Sequence, residues 1–232
     1  MAFVASIQIA SYDLVKVGDW IEIPSMGVDG DVMDMALHTI KVRNFDKTIT
    51  TVPTNKLIEQ SFKNWRGMQE IGGRRIKRSI YIDISSIKFL TNDMIDRFNK
   101  FQLISEYLDS KKNEIEEYNT SLKIDNEDFV NGKRLTNIGT FREYVKAYLS
   151  SRKDIDKNLT FLVRQLSPSP EGLPIEIYVF ANTTAWVKYE EIQSDIFDHI
   201  FAVLPALRLR AHEAPTGHDP RALTKNPETA MT

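Results

Sequence analysis

The side chains best suited to chemistry in this 232-residue chain are four histidines, His38, His199, His212 and His218; cysteine is absent. No histidine has a partner at the spacing that places two ligands on one helix face, so no metal site is expected. His199 lies near Asp195 and Asp198 on one helical stretch. Residues four apart share a face whether or not they act together, and the plain reading is a solvated polar surface. The carboxylate pairs Glu116-Glu117 and Glu190-Glu191 are adjacent in sequence, so on helices their side chains diverge and do not form an acid/base couple. Asn131-Gly-Lys-Arg134 carries the glycine and lysine of a phosphate loop, but it lacks the upstream glycine and the hydroxyl after the lysine. No Gly-x-Ser-x-Gly elbow and no kinase signature set occurs. No catalytic, cofactor-binding or metal-ligating set is assigned, and an enzyme is not expected.

One basic run stands out. Arg74, Arg75, Lys77 and Arg78 follow Lys63, Trp65 and Arg66 closely. An aromatic beside clustered cations is the composition of a single-stranded RNA platform. The alternative is a polar hinge surface that pairs with acidic neighbours. The overall balance of 30 basic and 32 acidic residues gives a formal net charge of -2, which favours the hinge over a nucleic-acid binder.

The elements that would carry these residues change character along the chain. Residues 14–66 read as short strands punctuated by turns: Trp20 to Ile23, Val32 to Leu37, Thr39 to Phe45 and Thr48 to Val52, with a helical stretch from Asn55 to Lys63. Short strands in quick succession suggest a small barrel, since closure removes exposed edges. Gly67 and Gly72-Gly73 mark a junction. Beyond it Ile76, Ile80, Ile82 and Ile84 alternate as a strand, and Met94, Phe98, Phe101, Ile104 and Leu108 form one helical stripe. Leu159 to Leu166 and Leu173 to Phe180 are expected strands. A helix follows with Trp186, Tyr189, Ile192, Ile196, Ile200 and Val203 on one side, and Leu207, Leu209 and Ala211 alternate as a last strand. Strand, helix, strand, strand, helix, strand is the order of a ferredoxin-like α+β fold. Residues 109–157 interrupt it, with a capping box at Thr140 to Glu143 opening a helix, and are read as a helical insertion. The polar end, from residue 214 to 232, is expected to be disordered.

No apolar run reaches the roughly 20 residues a membrane-spanning helix needs. The first residues are unusual: Phe3, Val4, Ile7 and Ile9 alternate with small Ala2, Ala5, Ser6 and Ala10. They suit either a segment packed on the barrel or the small-residue packing of membrane helices.

The series Val17-Gly-Asp-Trp-Ile-Glu-Ile23, Gly30-Asp-Val32, Thr39-Ile-Lys-Val-Arg43 and Thr51-Val-Pro-Thr-Asn55 resembles the β-domain of the MscS-like small-conductance mechanosensitive channel family. Phe62-Lys-Asn-Trp65, Gly72-Gly-Arg-Arg-Ile-Lys-Arg78, Asn137-Ile-Gly-Thr-Phe-Arg142 and Ala214-Pro-Thr-Gly217 are similar to its YbdG-type miniconductance branch. The resemblance covers nearly the whole chain, with a patchy match from Ala206 to Thr232. It implies a mixed β and α+β fold: residues 1–13 ending the last pore helix, an Sm-like β-barrel over 14–66, a hinge over 67–75, and a ferredoxin-like domain over 76–213. It further implies a homo-oligomer, a heptamer, held to the bacterial inner membrane by helices absent from this chain. Its soluble part would face the cytoplasm, and tension would release ions and small osmolytes. Pore residues are not assigned, and Arg74, Arg75, Lys77 and Arg78 become a candidate polar cage surface. No cofactor and no nucleic acid are implied. An RNA-binding barrel and an osmolyte- or nucleotide-sensing domain remain the competing readings.

Overall fold

A computed structural model describes residues 8, 9, 11–125, 128 and 130–214. The expectations for residues 3–7, for the tail beyond Ala214 and for His218 therefore lie outside the described residues. The chain divides into two compact units, Met1–Gly73 and Arg74–Thr232.

The first unit is a single antiparallel sheet. Strands β1 (Trp20–Ile23), β2 (Val28–Met35), β3 (Thr39–Asn44), β4 (Ile49–Pro53) and β5 (Lys63–Asn64) lie in the order β4-β3-β2-β1-β5. Alternation places Ile21, Ile23, Val28, Val32, Ile40, Val42 and Val52 on one face, each no more than 2% exposed. Gly30 sits where β2 and β3 approach most closely: a Cβ there would stand 2.0 Å from the Arg43 carbonyl oxygen. The helical stretch expected from Asn55 to Lys63 is shorter, α1 (Thr54–Glu59), because Lys63 and Asn64 pair with Glu22 and Ile21 as strand β5. Helix α2 (Arg66–Ile71) closes on Gly72, whose φ of 71° supplies the left-handed cap. Ile9 is 1% exposed and joins the sheet's core.

The second unit is built on β6 (Arg74–Ile82) and β9 (Leu173–Ala181), paired antiparallel along their whole lengths. Two short strands, β7 (Ile155–Asp156) and β8 (Leu162–Gln165), share the other edge of β9. The expected last strand, Leu207 to Ala211, does not form as such. Leu204–Leu207 is a 3-10 turn, and only Ala211 bridges Ile82 on the free edge of β6. Pro205 at the start of that turn and Arg208 in the left-handed region (φ 58°) hold the segment out of a ladder. Even so, the bridge falls where a fourth ferredoxin-like strand belongs.

The stripe from Met94 to Leu108 belongs to two helices, α3 (Asn92–Phe98) and α4 (Ser105–Ser121). Thr91 caps α3, and the chain leaves the helix at Asn99 while Phe98, Ile104 and Leu108 all stay buried. The helix expected to open at Thr140 starts one turn earlier, as α5 (Asn137–Ser151), with the Thr136 hydroxyl accepting from Gly139 N at 3.1 Å. Phe141, Val145 and Leu149 of α5 are fully buried in the same core as Ile76, Ile177 and Val179. Residues 137–151 thus form part of the core rather than a peripheral addition to it. Helix α6 (Trp186–Val203) completes the unit with Ile192, Ile196 and Ile200 in that core.

Candidate functional site

The basic run lies at the start of β6, so the pleat sends its members to opposite faces. Arg74 and Arg78 share the face of Ile76 and Ile80 and rest on α6. The Arg74 guanidinium is 4.4 Å from the Tyr189 ring, and that of Arg78 is 4.3 Å from Phe197. Arg75 and Lys77 share the other face. Arg75 stands 5.5 Å from the Tyr178 ring, and Lys77 Nζ is 4.0 Å from a Glu176 carboxylate oxygen. Glu176 is a buried anion on that face: 4% exposed, it also accepts from Arg164 Nε at 2.8 Å and pairs with Arg164 Nη2 at 2.7 Å. The four cations expected as one surface therefore fall on two faces: the three arginines lie against aromatic rings, and Lys77 neighbours a carboxylate. Arg74 and Arg75 are strand residues rather than linker.

A dense polar site in the first unit joins residues far apart in the sequence. Asp19, 6% exposed, accepts hydrogen bonds from Lys16 N (2.8 Å), Asn64 Nδ2 (2.8 Å), Arg66 Nε (2.9 Å) and Arg66 Nη2. Arg66 Nη1 reaches the Asp13 carbonyl and carboxylate at 3.3 and 3.2 Å, while Asn64 donates to the Leu14 carbonyl at 3.0 Å. Burial opposes ionisation of Asp19, but the hydrogen bonds from Arg66, Asn64 and Lys16 outweigh it and hold the carboxyl below its ordinary value. The same bonding to Asp19 raises the Arg66 guanidinium, which stays charged at any working pH. This clamp joins residues 13–19, where the chain enters the sheet, to residues 64–66, where it leaves. Alongside, Trp65 stacks on Trp20 with centroids 4.8 Å apart, and Trp65 N donates to the Trp20 carbonyl.

His38 is exposed in the first unit, while His199 and His212 belong to the second. His199 is not the solvated residue expected of it. It stacks on Tyr148 with centroids 4.0 Å apart, and its Nε2 lies 2.8 Å from the Tyr144 hydroxyl. Burial pushes its pKa below the usual 6.5, and the Arg152 charge adds to the shift. Arg152 is itself held by Asp154 and by the Tyr148 hydroxyl, to which its Nη1 donates at 2.8 Å. Among the described residues no cluster of three or more His, Asp or Glu is placed to hold a metal, and no helix is long and apolar enough to cross a membrane.

An antiparallel β unit followed by a ferredoxin-like unit, with its densely bonded polar residues joining segments, defines a two-part mixed α/β protein. The sequence comparisons agree with that class. Residues 1–67 match the family model of the mechanosensitive ion channel β-domain, and residues 135–206 match that of the MscS C-terminal domain, together more than half the chain. The chain belongs to the MscS-like mechanosensitive channel family. An uncharacterized MscS family protein of Helicobacter pylori (strain ATCC 700392 / 26695) is 24% identical over 206 residues, which is 87% of this chain and 29% of that relative. The chain thus spans less than a third of the length of the curated relatives it matches. The fold is shared with Helicobacter pylori MscS in its closed state (TM-score 0.54, 14% identity, 93% of this chain and 64% of that one). It is shared too with Arabidopsis thaliana MSL1 (TM-score 0.59, 13% identity, 92% of this chain and 58% of that one).

Proposed function

We propose that this chain is the cytoplasmic part of a tension-gated channel, and that it releases ions and small osmolytes on hypoosmotic shock as part of a homo-oligomer, a heptamer, in the bacterial inner membrane. In this reading residues up to about 13 end the pore helix, residues 14–66 form the barrel and residues 76–213 the cage wall, with no enzymatic step. The Asp19–Arg66 clamp is the observation that carries it. A load arriving at Asp13 passes through Arg66 to the segment leading into β6, without depending on the sheet to deform. Membrane tension favours the state of larger in-plane area, and a stiff connection lets the soluble part share in that shift. Arg75, Lys77, Arg164 and Glu176 would then tune the polar surface met by permeating solutes. Graded suction on bilayers containing a channel that carries this segment tests the reading. Currents that rise with tension support it, and silence up to the rupture tension of the bilayer defeats it.

A further inference from the structure

The contact between α5 and α6 is built around one titratable ring. Tyr144 and Tyr148 on α5 and Arg152 at its C-terminal cap are spaced four residues apart, so they form one stripe along the helix. His199 of α6 meets that stripe. Its ring stacks on Tyr148 with centroids 4.0 Å apart and an interplanar angle of 13°, and its Nε2 lies 2.8 Å from the Tyr144 hydroxyl. Tyr144 is 8% exposed, and Ile196 and Ile200 of α6 are fully buried nearby in the sequence. The same Tyr148 side chain carries a second contact: the Arg152 guanidinium is 5.7 Å from its ring centroid, and Nη1 donates to its hydroxyl at 2.8 Å. One tyrosine thus joins an imidazole that takes up a proton near neutral pH to a guanidinium that is always charged.

The charges near the imidazole come from three segments. Arg152 faces it from the end of α5. Asp154, just beyond, receives Arg152 Nε and Nη2 at 2.9 and 2.6 Å and neutralises that cation in part. On α6 itself Asp195 and Asp198 are exposed, and the Asp195 carboxylate stands 3.9 Å from Arg152 Nη2. Water screens both of these, whereas the ring is half-buried. Burial, and then the Arg152 charge, oppose a positive imidazole. The hydrogen bond itself survives either state: a neutral Nε2 accepts from the Tyr144 hydroxyl, and a protonated ring donates to the same oxygen. Protonation therefore keeps that bond but sets a second cation against Tyr148, where Arg152 already lies. Separation of the two helices at this point hydrates the new charge and relieves the repulsion.

We infer that His199 is a proton-operated latch: uptake of one proton on mild acidification opens the α5–α6 contact locally, while the β6–β9 pair stays folded. The inference concerns the chain by itself and does not rest on the channel reading. Amide hydrogen exchange resolved by NMR at pH 7.5 and 5.5, corrected for the intrinsic pH dependence of exchange, tests it. The chain is compared with His199→Gln, Arg152→Gln and His212→Gln. Amides around Tyr148 and His199 should open more readily than those of residues 76–80 and 175–179, which pair in the sheet. In the opened state the ring titrates at its ordinary 6.5, so at pH 5.5 about ten rings are protonated for each neutral one. Acid should therefore raise the local opening up to about tenfold. His199→Gln should abolish that response and Arg152→Gln should reduce it. His212→Gln should leave it intact, since the backbone of His212 borders β6 at Tyr81. Thermal melts at pH 7.5 establish that each variant folds. Titration of the His199 ring signals in the parent chain gives a reading that needs no variant: a midpoint below 6.5, with the Tyr144 and Tyr148 ring signals following it, is expected. Exchange of the α5 and α6 amides only in step with those of β6 and β9 overturns the inference, because His199 would then add to global stability and open nothing. An acid response that persists in His199→Gln overturns it too, as does a ring midpoint at or above 6.5.

Discussion

The two units use charge differently. In the first, an aspartate and an arginine 47 residues apart meet through two guanidinium nitrogens, and Asn64 and Asp13 complete the join. In the second, Arg74, Arg75 and Arg78 lie against tyrosine and phenylalanine rings, and the α5–α6 contact runs through His199 stacked on Tyr148. An ion pair with a nearly buried carboxylate is stiff and specific in geometry, and it fails sharply when one partner is removed. A guanidinium over a ring is worth less and tolerates sliding. The first arrangement suits a segment that must transmit a load, and the second suits packing between elements.

Substitutions sharpen this contrast. The largest effect expected is from Phe141→Ala, which empties a fully buried site on α5. It should destabilise the second unit by about 4 kcal/mol and leave the first unchanged, as resolved by urea melts followed residue by residue in NMR spectra. A loss under about 1 kcal/mol would return residues 137–151 to the periphery. Asp19→Ala should cost on the order of 2 kcal/mol in the first unit alone, because it leaves Arg66 Nε and the Lys16 amide without their acceptor.

Acidification separates the units again. The folded-state pKa of His199 lies below its ordinary 6.5, so the unfolded chain takes up the proton first. The stability this residue contributes is complete above pH 6.5 and falls as pH drops from there toward the depressed value. The Asp19 contribution is complete above the ordinary 3.8 and is lost only as pH falls through its lower folded value. The second unit should therefore weaken on going from pH 7.5 to 5.5 while the first holds. His199→Gln should flatten that response at a cost of about 1 kcal/mol. The smallest effect expected is from Arg78→Ala, about 0.5 kcal/mol in the second unit, from its contact with Phe197.

What the sequence displayed follows the same division. Strands such as Ile76 to Ile82 were legible because alternation is local, and the apolar face of α5 because Phe141, Tyr144, Val145 and Leu149 repeat at helical spacing. The placement of α5 was not legible, since a helix face records that it is buried and not against what. Leu207 to Ala211 alternates like a strand, yet Pro205 and the left-handed Arg208 override the pattern. Arg74 to Arg78 looked like one patch because adjacency in sequence hides the pleat. Glu176 lies inside an apolar strand, and Asp19 within the Val17 to Ile23 motif. Each acquires its role from a distant partner, Arg164 or Arg66, that no local spacing announces.

Patch recording under graded suction, on a channel that carries this segment and on its Arg66→Gln variant, tests the central claim most directly. Tension-activated current in the parent, with a shifted opening tension in the variant, is the predicted result. A parent silent at every tension would contradict the channel reading, and a variant identical to the parent would contradict the clamp as its coupling element.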